Sequence, residues 1–545
     1  MKIQHIIYTM LVASATAVLT SCYDDKGNYS YNDIDEIHVS FPGNIGKDDQ
    51  IRYAERQGNT LNITPDVECL DKSHLTYLWE RYTDGVETET LKKDKDISLP
   101  LLVGDDALLQ WKVGTYKLRF TVTDTVTLQT CQKLINVTVK SVTPIGVQVL
   151  TTTNGKSDIS TIENNDFIEG LSVSTLSLNY YSSKNQGKKL NGEGRNINWF
   201  YSSEGSAFLA LTNEDGCSIN MSDFKPNITF DQLFEDKPNN IKRMVDAWGT
   251  YMAYSDDNVY MLDASYGLKL EDNPTFDPVF GSEDDLKFAP EASYISSESG
   301  FMGGSLNYGN IAYCPQQHCF LNYDWYNDPT PGIPRPMQKL GDDPYAVFDP
   351  SDISSGTLIG MDYGTFTHYQ YTQNQWALFE DNTDKGKVLT IYHFNDEGYD
   401  SDKATYDLKQ TIATEKSNTE LINTNCFQMS TLIDGVGFFS SPDGVYSLNV
   451  NNVSNGVSEL FTPTGNEKVT MIRLLKYQQD DEDTRSLNKT FFSRLSKSLY
   501  IATWDGMQGR IYRIALTEDG ILDSSVEMDK WEGFGEIKDM CFRLQ

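Results

Sequence analysis

Three stretches set carboxylates where they could meet a ligand. YMAYSDDNVYMLD (251–263), GFFSSPDGVYSLN (437–449) and LYIATWDGMQGRIYRIA (499–515) each read as strand, tight acidic turn, strand. Their turns carry Asp256, Asp257, Asp443 and the pair Trp504-Asp505. An aromatic plate beside carboxylates suits a sugar or a peptide: the ring stacks, and the acids accept hydroxyl or amide protons. Equivalent turns of a repeated unit point to one face, so these residues are expected near a shared rim. A second candidate surface is YDWYNDPTPGIPRPM (323–337), where Trp325 and Tyr326 lie in a Pro/Gly-rich segment unfit for a strand interior. It could equally dock on a partner protein or on the N-terminal domain of the same chain. Aspartate is also an ordinary turn-former, and for any one of these residues that is the simpler account.

Catalytic chemistry leaves less trace. A glycosidase needs two carboxylates flanking a bond, roughly 5–10 Å apart. With 78 acidic residues, pairs arise by chance, and no motif marks one. An Asp-box is approached once, at Met361-Asp362-Tyr363-Gly364-Thr365-Phe366, without repeated copies. No GxSxG elbow, Walker loop or HExxH occurs. Histidines and cysteines are scattered without CxxC or HxxxH spacing, which gives zinc no support. Asp381-Asn382-Thr383-Asp384 could attract calcium, but the EF-hand spacing is not met. Neither a cofactor nor a metal is expected, nor an enzyme. Cys314 and Cys319 bracket the four-residue turn Pro315-Gln316-Gln317-His318, so they should face one another and, in an exported chain, could form a disulfide.

The elements that must position these residues are strands. Alternating runs rich in Tyr, Thr and Val dominate, and the apolar content of 39% suffices for packed cores. The net charge of −33 disfavours nucleic acid as a partner. From 33 to 142, HLTYLWERY, VGTYKLRFTVTD and KLINVTVKSV suggest a β-sandwich with Trp79 at its centre and Tyr116 opening a late strand. Cys69 and Cys131 do not fit the usual intersheet disulfide and are expected as small buried hydrophobes.

From 143 to 545 seven hairpins recur: 147–162, 197–212, 251–263, 314–323, 376–394, 437–449 and 499–515. IKRMVDAW (241–248) and KVTMIRLL (468–475) each precede a hairpin, whereas IKDMCFRLQ (537–545) has none after it and the hairpin at 147 has none before it. A ring closed by pairing the last element with the first hairpin accounts for both orphans. The expected fold class is all-β: an immunoglobulin-like β-sandwich, then a β-propeller of about seven blades, six or eight being compatible.

The first 21 residues read as a signal peptide: Lys2, an apolar run, and Leu19-Thr20-Ser21-Cys22, which resembles a bacterial lipobox and would make Cys22 the lipidated first residue. Residues 22–32 form an acidic linker. The start CYDDKGNYSYND, the sandwich and the GVQVL…NGKSDIS opening of the ring together resemble the Bacteroidetes PKD-like lipoproteins over nearly the full length. The resemblance implies a lipid-anchored protein of the outer-membrane surface, working with SusC/SusD-like nutrient importers as a non-catalytic subunit that binds or presents glycans or peptides. A surface hydrolase and a structural spacer making only protein contacts are the alternatives. If the lipobox reading holds, Cys22→Ala leaves the protein off the membrane; fractionation with the outer membrane as before would refute the anchor or show that partner contacts suffice.

Overall fold

The computed structural model describes residues 36–42, 50–82, 89–103, 111–168, 171, 173–202, 205–247, 250–256, 258–263, 275–278, 309–315, 317–324, 335–337, 346–353, 356–367, 372–397, 405–475 and 497–543. Cys22, Asp257, Trp325 and Tyr326 lie outside them. The fold is all-β, and among the described residues the helical segments are short turns such as Tyr180–Lys184 and Phe230–Leu233. By contact it falls into two compact units: residues 1–45, 62–97 and 118–135, and residues 46–61, 98–117 and 136–545.

The first unit is centred on Trp79, which is fully buried and has its ring 4.4 Å from that of Phe120. Phe41 meets Trp79 edge-on at 6.5 Å, and Tyr77 stacks on Phe120 at 6.1 Å. Period-two alternation puts Leu118, Phe120 and Val122 inside. Two cysteines depart from expectation: Cys69 and Cys131 are only half-buried. Cys69 follows the short strand Asp66–Glu68 and donates to the Asp71 carbonyl at 3.4 Å. Cys131 opens the strand Thr130–Lys140, whose buried positions begin only at Ile135.

In the second unit, Tyr116 donates its hydroxyl to the Lys112 carbonyl at 2.9 Å. Seven open sheets follow one another along the chain among the described residues. Each contains one of the seven expected hairpins. The first hairpin turns at Asn154-Gly155 with φ of 53° and 68°, the left-handed pair that a two-residue hairpin requires. Sheets two, three, five, six and seven have four strands each and begin with Gly194–Ser202, Arg243–Ala247, Thr357–Thr367, Cys426–Met429 and Lys468–Leu474. The fourth has three described strands, the first being Gly309–Cys314.

The first sheet is assembled from both ends of this unit. Gly146–Thr153 pairs on one side with Lys156–Glu163 and on the other, antiparallel, with Glu536–Arg543. The register sets Val147 opposite Phe542 and Thr152 opposite Glu536. Ile537 and Met540 are core residues, as the orphan-element reading requires. The last strand also contacts the first strands of the second and seventh sheets. Gly194 makes the first of these approaches feasible: a Cβ there would meet Leu150 Cγ at 2.8 Å and Lys538 Cβ at 3.3 Å.

Asp539, 2% exposed, fastens both neighbours. Arg473 Nη2 of the seventh sheet donates to its Oδ1 at 2.5 Å. Asn196 Nδ2 and the Ile197 backbone N–H of the second sheet donate to its Oδ2 at 2.8 and 2.9 Å. Removing the carboxylate takes the charged acceptor from a largely buried guanidinium and from two further donors. Asp539→Ala should therefore cost about 3–5 kcal/mol in urea unfolding, with Asp539→Asn, which still accepts, losing less. A cost under about 1 kcal/mol for the alanine variant would show that the fastening is dispensable.

Candidate functional site

The last strand and the first strands of the second, third, fifth, sixth and seventh sheets line a cavity of about 300 Å³. Its wall is polar. Arg195, Asn196 and Asn198 come from the second sheet, Lys242 from just before the third, Asp362 from the fifth, Gln428 from the sixth, Arg473 from the seventh, and Lys538 and Asp539 from the last strand.

A repeated backbone irregularity aims this lining. In four of the contributing strands the pairing register slips by one residue, at Gly194/Asn196, Leu358/Gly360, Val469/Met471 and Ile537/Asp539. The skipped residues are Arg195, Ile359, Thr470 and Lys538, and all four line the cavity. A bulge leaves one residue out of the ladder and re-aims its side chain. It thereby breaks strict alternation and lets the consecutive residues Arg195 and Asn196 share one wall.

Hydrogen bonds then join the wall strands of the fifth, sixth and seventh sheets, the last strand and the second sheet in succession. Asp362 Oδ2 accepts the Met429 backbone N–H at 2.6 Å, and Gln428 Oε1 accepts that of Leu474 at 3.2 Å. Arg473 reaches Asp539, and Asp539 reaches Asn196 and Ile197. Both cavity carboxylates are thus committed to structure. Three of the cations lean instead on acids at the margin: Arg195 on Glu193 at 3.7 Å, Lys242 on Asp256 at 2.9 Å and Lys538 on Glu536 at 2.9 Å.

The residues expected at a shared rim are placed differently from one another. Among the described ones, Asp256 alone adjoins the cavity, through Lys242, and it also accepts from Asn240 Nδ2 at 2.9 Å. Asp443 pairs with Lys468 at 2.6 Å, both side chains being well exposed. Trp504 is half-buried at the end of its strand, opposite Lys468 and Gly509. Asp505 organises its own turn, accepting the backbone N–H groups of Met507 and Gln508 and the Arg510 guanidinium, each at 2.8 Å. Cys314 and Cys319 face one another across the hairpin as expected, and both are buried.

Sequence reasoning missed Arg195, Lys242, Arg473, Lys538 and Asp539 as a group. A signal was present: the element IKRM (241–244) recurs as IKDM (537–540), and the lysine of each copy lines the cavity. The apolar positions of that repeat drew attention, and its polar ones did not.

Asp505 offers a pH test of the turn. Hydrogen bonds from the Gln508 N–H, the Arg510 guanidinium and the Met507 N–H hold its carboxyl down to about 2, against an ordinary 3.8. What it contributes to stability is therefore complete above about pH 5 and is lost progressively as pH falls toward and below 2. The melting-temperature difference between the wild type and Asp505→Asn should shrink between about pH 5 and about pH 2.5. A difference that stays constant would show that the turn does not depend on the charge.

Comparison with curated proteins returns no match. Among solved structures, the N-terminal eight Ig domains of Down Syndrome Cell Adhesion Molecule isoform 1.30.30 align over 90% of this chain and 72% of that one. The identity is 7% and the TM-score 0.15, a likeness that carries no argument. Residues 22–194 match the PKD-like family, a span that begins at Cys22, runs through the first hairpin sheet and stops at the glycine opening the second. The chain carries a PKD-like family domain at residues 22–194.

Proposed function

We propose that residues 143–545 form a seven-bladed β-propeller closed by the strand Glu536–Arg543, and that the cavity is its axial channel. In this reading the protein is held on the outer-membrane surface by a lipid on Cys22. It serves a SusC/SusD-like importer as a non-catalytic subunit binding glycan or peptide nutrients. The supports for a propeller are the succession of seven hairpin-bearing sheets, the pairing of the last strand with the first hairpin, and the contacts between first strands of neighbouring sheets. The lipid anchor and the importer rest on the N-terminal motif and on the resemblance it carries.

One observation carries binding over hydrolysis. The two acids in the cavity wall, Asp362 and Asp539, are buried and already accept backbone or side-chain donors. A glycosidase acid or nucleophile must be available to its substrate, and these are not. What remains presented is cationic and amide chemistry, which holds a ligand without cleaving it.

A glycan and peptide binding panel, run beside a turnover assay on the same compounds, separates the readings. Saturable binding without product is expected. Product formation would replace this function with the hydrolase. Co-purification with an importer without binding to any compound would leave a spacer.

A further inference from the structure

We infer that the cavity is an acid-binding site for a ligand bearing one carboxylate with a hydroxyl or N–H group beside it. A uronic acid and a peptide C-terminus both present that chemistry. The inference rests on the proposal that this cavity is where the nutrient binds.

Charge is the first ground. A chain of net charge −33 places four cations, Arg195, Lys242, Arg473 and Lys538, around one small cavity against two carboxylates. Of those two, Asp539 is taken up by Arg473 and two further donors, and Asp362 by a backbone N–H. The cations not held by a wall carboxylate are therefore Arg195, Lys242 and Lys538. Each leans on an acid that is itself well exposed: Glu193 at 52%, Asp256 at 41% and Glu536 at 45%. Exposed ion pairs of this kind contribute little and exchange readily. An incoming carboxylate can replace these acids without breaking the buried network behind them.

Hydrogen bonding is the second, independent ground. Two buried side-chain atoms on the cavity wall have no hydrogen-bond partner, Arg195 Nε and Asn196 Oδ1. They belong to consecutive residues, brought to one wall by the bulge at Arg195. The amide orientation of Asn196 is fixed chemically, because its other end meets the Asp539 carboxylate, which can only accept. Oδ1 must then face away from Asp539. Both atoms are shut off from solvent in this structure, so a ligand reaches this charged donor and neutral acceptor as the two side chains shift toward it. A carboxylate oxygen satisfies the first, and a neighbouring hydroxyl or N–H satisfies the second. A phosphate-rich polyanion lacks that donor and meets the repulsion of the whole chain.

The test titrates the mature chain with galacturonate and N-acetylalanine, and with their neutral counterparts galactose and N-acetylalanine amide. The acids should bind at least about tenfold more tightly than the neutral partners, less so as salt rises. Arg195→Gln should weaken acid binding about tenfold, and Glu193→Gln should strengthen it several-fold by removing the competing carboxylate. Misfolding cannot produce that gain. A response to galacturonate alone assigns a sugar acid, and a response to N-acetylalanine alone assigns a peptide terminus. Equal binding of acid and neutral compounds, or indifference to both substitutions, overturns the acid site while leaving a ligand-binding protein. So does failure to bind all four by a protein that is positive in the broad panel. A negative panel removes the underlying function as well.

Discussion

The carboxylate of Asp539 holds together parts of the chain that lie far apart in sequence. It is almost wholly buried, and its charge is compensated by the Arg473 guanidinium, the Asn196 amide and the Ile197 N–H. A buried carboxylate without such partners would be prohibitive. With them, it accepts only one arrangement of the last strand between the second and seventh sheets. A second fastening acts beside it. Asp166, just after the first hairpin, takes two hydrogen bonds from Arg513, at 2.8 and 2.7 Å, and one from the Tyr500 hydroxyl at 3.0 Å. Asn164 donates to that same hydroxyl at 2.9 Å. Ionic contacts of this kind add less to net stability than to the choice of a unique neighbour.

The same chemistry divides labour around the cavity. Acids inside are committed to holding strands, so the cations are left to face the interior space. Acids outside are exposed and loosely paired. A strongly acidic chain thus presents a locally positive interior, because its buried carboxylates are already neutralised by the backbone and by Arg473. Cavity character follows from which charges the fold consumes and not from the overall sum.

Legibility in the sequence tracked how local each determinant is. All seven hairpins were readable, because Asn154-Gly155, the Asp-Gly turns and period-two alternation are encoded within a dozen residues. Pairing of the last strand was readable because IKDM repeats IKRM without a hairpin of its own. The cavity was not. Arg195 and Lys538 reach it through bulges, and a bulge is a property of register between two strands, which neither strand reveals alone. The acidic turns were legible as turns, and what the sequence did not show is that the charges of Asp505 and Asp443 are paired with Arg510 and Lys468. Cys69 and Cys131 were judged by residue type, while their burial was set by position at the margins of short or half-exposed strands.

Pairing between Gly146–Thr153 and Glu536–Arg543 also sets a timetable for folding. The first sheet emerges early in synthesis, yet one of its edges waits for nearly 400 more residues before its partner exists. The entropic cost of closing so long a loop grows only slowly with length. Searching for so distant a contact, however, slows folding markedly. Until the chain has been made through Arg543, the apolar strand carrying Val147 and Val149 has an unpaired side. A chain stopped short of that point would keep the edge open, so the first sheet is completed only once Glu536–Arg543 has been made.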